Sequence, residues 1–233
     1  MKHRIFTIAS FFVFIVFPIK SQDYLKGREF ERFFTHVEKM PQSLKNDPSK
    51  IVEYLKIPTR NNYELVEIIY YWIANNISYD VDGYMNQEYN AVDGLTVLET
   101  RTSVCEGYAS LFKLLCDCAH IECEIINGYG KGYSYDGKRA EKPNHAWNVV
   151  RLDSQWKLID VTWGSGYVKM SNDTLVYRKL LNLRYLFTKP EGFIIEHFPA
   201  DPGWQLLKSP ITIDEFYSKA FDDKIKDIYL YLY

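Results

Sequence analysis

Apolar residues recur at helical spacing in two stretches of this chain. Leu65, Ile68, Ile69, Trp72 and Ile73 follow the i, i+3, i+4, i+7, i+8 rule of one buried helical face. Asn61 and Glu64 stand ahead of them at capping-box spacing, and Asn75 and Asn76 close the run. Ala109, Phe112, Leu115, Cys116 and Ala119 trace a second apolar face, with Ser103 and Glu106 again at capping-box spacing. The spacing therefore predicts a helix that starts near Ser103 and carries Cys105 in its first turn, at about the second helical position. After His120 the period changes. Cys123 to Tyr129 reads as a strand, and Gly128, Gly130 and Gly132 open a mobile loop that runs to Asn144. His145 to Leu152 and Gln155 to Trp163 are two further extended segments, joined by a tight turn at Asp153-Ser154.

The rest of the pattern is plainer. Asp23 to Arg60 mixes charges with apolar residues at helical spacing, broken by Pro41, Pro48 and Pro58, and predicts short helices. Residues 80 to 94 read as a loop before a helical turn around Thr96 to Thr100. From Gly164 onward, turns alternate with short apolar runs. A last helix is expected near Thr212 or Asp214, including Phe216, Ala220 and Phe221. Helices followed by antiparallel strands make an α+β arrangement.

At the N-terminus, Lys2, His3 and Arg4 precede an apolar run from Ile5 to Phe17, about 13 residues. That is short of the roughly 20 residues of a membrane span. It reads as a signal peptide over residues 1–22, with cleavage near Ser21 or Gln22, and makes the protein secreted or periplasmic with no stable membrane insertion afterwards. Residues 23–233 are then a single domain, with its core at about 61–166. The 233 residues suit one domain, and 47% hydrophobic content is enough for a packed core. A formal net charge of -2 with scattered basic residues argues against a nucleic-acid surface. All four cysteines lie between residues 105 and 123, too clustered for a disulfide scaffold that staples distant loops. A bridge between two of Cys116, Cys118 and Cys123 stays open.

Three residues carry candidate chemistry. The first turn of a helix presents unbonded N–H groups and the positive end of the dipole, and both favour a thiolate at Cys105. If Leu152 faces Gln155 across the two-residue turn, then Trp147 faces Asp160 and His145 faces Thr162. His145 and Asp160 become diagonal neighbours on one face, about 5.5 to 8 Å apart at Cβ. That separation lets a carboxylate accept from an imidazole N–H. An odd number of loop residues would put them on opposite faces. A helix-start Cys with a His and an acid is the minimal set for thiol acyl transfer.

Ser103-Val104-Cys105-Glu106-Gly107-Tyr108-Ala109 resembles the cysteine motif of the transglutaminase-like superfamily. His145-Ala146-Trp147-Asn148 and Asp160-Val161-Thr162-Trp163 resemble its histidine and aspartate motifs, in the family's order. Arg184-Tyr185-Leu186-Phe187, His197-Phe198-Pro199 and Trp204-Gln205-Leu206-Leu207 are similar to the extension of its kyphoscoliosis peptidase-like branch. The resemblance implies a papain-like fold, a nucleophile-bearing helix packed on an antiparallel sheet. It also implies a catalytic triad of Cys105, His145 and Asp160 acting on protein or peptide amides by hydrolysis or transamidation. No metal or organic cofactor is implied. Some members lose the triad and act as protein-interaction modules, which is the alternative for this chain. Cys116, Cys118, His120 and Cys123 offer a rival metal cluster, and His197 reads as a structural or surface residue.

Overall fold

The computed structural model describes residues 28–88, 92–172 and 174–218. The signal-peptide segment and the Ala220-Phe221 end of the expected last helix lie outside them. Three helices come first: α1 (Arg28–Glu38), α2 (Pro48–Lys56) and α3 (Asn62–Asn76). Asp47 caps α2 by accepting the Lys50 N–H at 3.1 Å, and Pro48 sits where its missing N–H costs nothing. Asn61 caps α3 by accepting the Glu64 N–H at 3.0 Å. The box does not close on Asn61. The Glu64 carboxylate instead accepts the Arg60 N–H at 2.7 Å and pairs with Arg32 at 2.8 Å. The five residues of the expected apolar face are all buried, but so are Val66, Tyr70, Tyr71 and Ala74.

After β1 (Ser78–Tyr79), residues expected to loop form the helix α4 (Val81–Asn86). Asp80 starts it by accepting the Gly83 N–H at 2.9 Å, and Gln87 ends it in the left-handed region at φ 58°. Helix α5 (Gly94–Thr100) follows, capped by Asp93, and then β2 (Thr102–Ser103), which pairs with β1 in parallel. Helix α6 (Cys105–Cys118) is central: it packs on α2, α3 and α5 and on the main sheet. α3 is buried over most of its surface because α1, α2, α6 and the short helix after Asp160 pack against it.

The sheet is built from β3 (Cys123–Gly130), β4 (His145–Leu152), β5 (Gln155–Ile159), β8 (Leu186–Thr188) and β9 (His197–Pro199). Its order is β8-β5-β4-β3-β9 and every pairing is antiparallel. Every β4 residue but Arg151 is buried. One face of the sheet, through Val150 and Leu152, joins the core of α3 and α6. The other, through Trp147, Val149 and Leu158, packs on Phe193 and Trp204. Between β5 and β8 lie α7 (Val161–Ser165) and a separate hairpin, β6 (Gly166–Ser171) with β7 (Thr174–Lys179). The short helices α8 (Pro190–Phe193) and α9 (Ile213–Phe216) complete the described chain; Thr212 and Glu215 close a capping box on α9. The architecture is the α+β, papain-like one: a helix carrying Cys105 laid against an antiparallel sheet.

The β4–β5 register is the expected one, with Leu152 opposite Gln155 and Val149 opposite Leu158. Asp153 and Ser154 both take positive φ, 48° and 62°, as a type I′ turn requires. The ladder ends at Asn148 opposite Ile159, so Asp160 leaves the strand. Trp163, expected to be extended, is in α7. Gly128 and Gly130 belong to β3, not to the loop. A Cβ on Gly130 would stand 3.0 Å from the His145 Cβ, so the bare backbone lets the strands close on the imidazole.

Candidate active site

Cys105 is the first residue of α6, one position earlier than the capping-box spacing predicts. Ser103 does not cap the helix. It is buried and paired with Tyr79 in the β1–β2 ladder, which leaves Val104 at the N-cap with no side-chain cap bond. The Val104 carbonyl accepts from the N–H groups of Gly107 and Tyr108 at 3.1 and 3.2 Å. Cys105 therefore sits at the positive end of a 14-residue helix. It is partly exposed, while Cys116 and Cys123 are buried.

His145 opens β4 and is 8% exposed. Its Nε2 lies 2.7 Å from Asp160 Oδ2, and its ring stacks on Trp163 at 4.7 Å between centroids. The Cys105 side chain borders the same depressions as this imidazole and is near enough to raise its proton affinity. With Nε2 committed to Asp160, Nδ1 is the nitrogen left to the sulfur. Burial works against a charge on His145, but the Asp160 carboxylate and then the thiol more than offset it and raise its pKa to about 10.

Asp160 is fully buried and does two jobs. As N-cap of α7, its Oδ1 accepts the Trp163 N–H at 3.0 Å. Its Oδ2 accepts from His145, and also from His197 Nε2 at 2.9 Å. Burial disfavours the carboxylate, but His145 and then His197 together hold its pKa well below the usual carboxylate range. His197 is thus not a surface residue: it is 1% exposed and faces the same oxygen as His145. Burial lowers its pKa to about 4, and its bond to Asp160 only partly opposes this. No local spacing reveals this contact. His197 reaches the site on β9, opposite Gly130 on the edge of the sheet away from the β4–β5 hairpin, and only the His197-Phe198-Pro199 motif marks it.

Two depressions meet at Cys105 and His145. One, about 500 Å³, has aromatic walls that include Tyr79, Tyr84, Trp163, Tyr167, Tyr177 and Tyr185. The other, about 430 Å³, is lined by Val104, Glu106, Asn127, Pro143 and Asn144. The ligand atoms of His145, Asp160 and His197 lie within 4.8 Å of one another, close enough to hold a metal ion. Both imidazoles, however, converge on one carboxylate oxygen at hydrogen-bond distance, and the other oxygen is taken by a backbone N–H. That is the pattern of an acid orienting imidazoles. The rival cluster gathers no three ligand atoms among the described residues: Cys116 and Cys123 neighbour each other in the core, but Cys118 lies 3.8 Å from Ser49 Oγ and His120 is exposed.

The fold and this constellation define a class, and comparison with known proteins agrees. A family model described as "Transglutaminase-like superfamily" matches residues 50–161, so the match starts in α2, earlier than the motifs alone mark. The chain belongs to the transglutaminase-like superfamily. Within it the chain falls on the kyphoscoliosis peptidase-like branch. It is 34% identical to "Kyphoscoliosis peptidase" of Mus musculus over 77% of this chain and 27% of that one. It is 32% identical to the Homo sapiens protein of the same name over 83% of this chain and 29% of that one. The chain thus spans under a third of the length of these curated relatives. Among solved structures, one titled "Crystal structure of a TGase" aligns at 18% identity and a TM-score of 0.39, over 61% of this chain and 38% of that one.

Proposed function

We propose that the protein is a thiol enzyme acting on protein or peptide amides, with Cys105 as nucleophile, His145 as base then acid, and Asp160 as the orienting carboxylate. The observation that supports this most directly is the His145 ring, bonded to Asp160 Oδ2, lining the same two surface depressions as the helix-start Cys105. The thiol proton already rests on His145 at neutral pH as a thiolate–imidazolium pair, and the sulfur of that pair attacks the amide carbonyl carbon. The helix N-terminus stabilises the oxyanion that forms. His145 then protonates the leaving amine, the C–N bond breaks, and a thioester remains on Cys105. Water or an amine, deprotonated by His145, resolves the thioester. The two depressions give separate places for acyl donor and acceptor. Among the described residues no helix is long and apolar enough to cross a membrane. The signal peptide and secretion belong to the same proposal.

Iodoacetamide tests the nucleophile. Cys105 should alkylate fastest of the four thiols at neutral pH, and mass spectrometry of the acyl-enzyme formed with a peptide library should give the substrate side chain. Cys105→Ala and His145→Ala should each cut turnover by about 10⁴-fold or more, with Asp160→Ala leaving some activity. Full turnover in Cys105→Ala would end the proposal. An inert Cys105 would leave the aromatic depression as the binding face of a non-catalytic module.

A further inference from the structure

Asp160 needs one imidazole to orient the base, and it has two. His197 is hard to justify by stability. Asp160 is ionised and can only accept, so His197 must carry its proton on Nε2. Its Nδ1 is then a bare buried acceptor. The Phe193 backbone acts on the ring in favour of its cation and is outweighed by burial, and no hydrogen bond satisfies Nδ1. A buried polar atom left unsatisfied costs stability. The ring is caged by Phe193, Trp163 and Trp147, with centroids at 4.0, 4.3 and 5.2 Å, so it has no room to turn toward another partner. The other ionisable groups around the carboxylate are committed elsewhere. Tyr70 donates to the Asn182 carbonyl at 2.7 Å. Tyr185 donates to Glu196 at 3.2 Å, and Glu196 pairs with Arg184 at 3.1 Å. Cys105 lies beyond His145.

We propose that His197 is a positioning residue: its neutral imidazole donates to Asp160 Oδ2, fixing the carboxylate against His145 and limiting how tightly that carboxylate holds the His145 proton. This rests on the assignment of His145 as the proton carrier. A carboxylate with only the Trp163 amide and His145 as donors would be more basic and would bind the imidazolium harder. That would retard release of the proton to the leaving amine. A second donor on the same oxygen moderates the bond and keeps the ring aimed through both halves of the reaction.

The test reads ring nitrogens by long-range ¹H–¹⁵N spectra. In the wild-type protein at pH 7, His197 should be neutral with its proton on Nε2, and His145 doubly protonated. In His197→Phe, which keeps an aromatic ring in the cage, the His145 midpoint should rise by about one pH unit as the carboxylate loses a donor. His197→Gln, whose amide N–H reaches to about the Nε2 position, should bring it back toward wild type. A purely packing role would leave the midpoint in place, and a folded His197→Phe protein with an unmoved midpoint overturns the proposal. Should that variant fail to fold, the wild-type spectrum decides. A His197 ring that is cationic at pH 7, or protonated on Nδ1, overturns it too. A Cys105 inert to iodoacetamide would fail the catalytic reading while leaving the His145 titration fully readable.

Discussion

Asp160 receives two imidazoles, and they arrive by different kinds of structure. His145 comes from β4, in the middle of the sheet, 15 residues from Asp160 and joined to it through a two-residue turn. His197 comes from β9, a three-residue strand at the sheet's edge, 37 residues from Asp160 and on the far side of β3. The first approach is fixed by local register: once Leu152 faces Gln155, the end of β5 must come to the His145 face. The second depends on chain that leaves the sheet, forms the β6–β7 hairpin, and returns to pair with β3. Local geometry therefore builds the His–Asp pair, while long-range packing adds the second donor. The two should come apart under different perturbations.

Gly128 is the place to separate them. It pairs with His145 on one side and with Pro199 on the other. A Cβ there would stand 2.3 Å from the Phe198 carbonyl oxygen and 2.4 Å from the Trp147 ring. Backbone cannot yield as a flexible side chain can, so Gly128→Ala should push β9 off its edge and destabilise the protein by about 3 kcal/mol. Chemical denaturation measures the loss. Ring spectra should show His197 shifted while the His145–Asp160 bond persists. A variant that loses both contacts together would mean that the two approaches are one cooperative unit.

The same contrast decides what could be read before the structure. The α6 start and the hairpin register are local consequences of spacing and of a two-residue turn, and both are legible. The cap of α6 is misread because Ser103 spends its backbone on the β1–β2 ladder, a contact that no sequence window contains. The β6–β7 hairpin leaves no period-two signature because neither strand has a buried face. Asp160 is found by position, yet its capping of α7 and its second imidazole are not. His197 is missed as a partner because nothing between Gly130 and Gly166 indicates which strand will occupy the free edge of β3. The catalytic roles themselves are read from resemblance and geometry.

pH separates the two histidines in opposite directions. The folded-state pKa of His145 is raised from its ordinary 6.5 to about 10. Its contribution to stability is therefore complete below pH 6.5 and disappears as pH climbs through 10. His197 is lowered from 6.5 to about 4, so the unfolded chain takes up a proton that the folded chain refuses. Stability falls as pH drops from 6.5 toward 4, and that loss is complete below 4. Asp160, depressed by both rings, adds to the acid side: its contribution is present above 3.8 and is lost as pH falls toward its folded value. Denaturation curves should place maximum stability near pH 6.5, with a fall on each side. His197→Phe should flatten the fall between pH 6.5 and 4 and leave the alkaline fall in place. An acid fall that survives unchanged would mean that other groups carry it.

The smallest effect lies at the turn that sets the first approach. Ser154 holds φ at 62°, in the left-handed region that a non-glycine residue enters at a cost, and Asp153 before it holds 48°. Type I′ turns favour glycine at the second central position because it meets this φ without a Cβ clash. Ser154→Gly should therefore raise stability by about 0.5–1 kcal/mol, seen as a higher Tm. It should do so without moving the His145 midpoint, because the register is already correct and the turn lies at the far end of the hairpin from the imidazole. A changed His145 midpoint would show that the turn governs the geometry of the pair and does more than hold the strands in step, and the local approach would then be softer than its short connection implies.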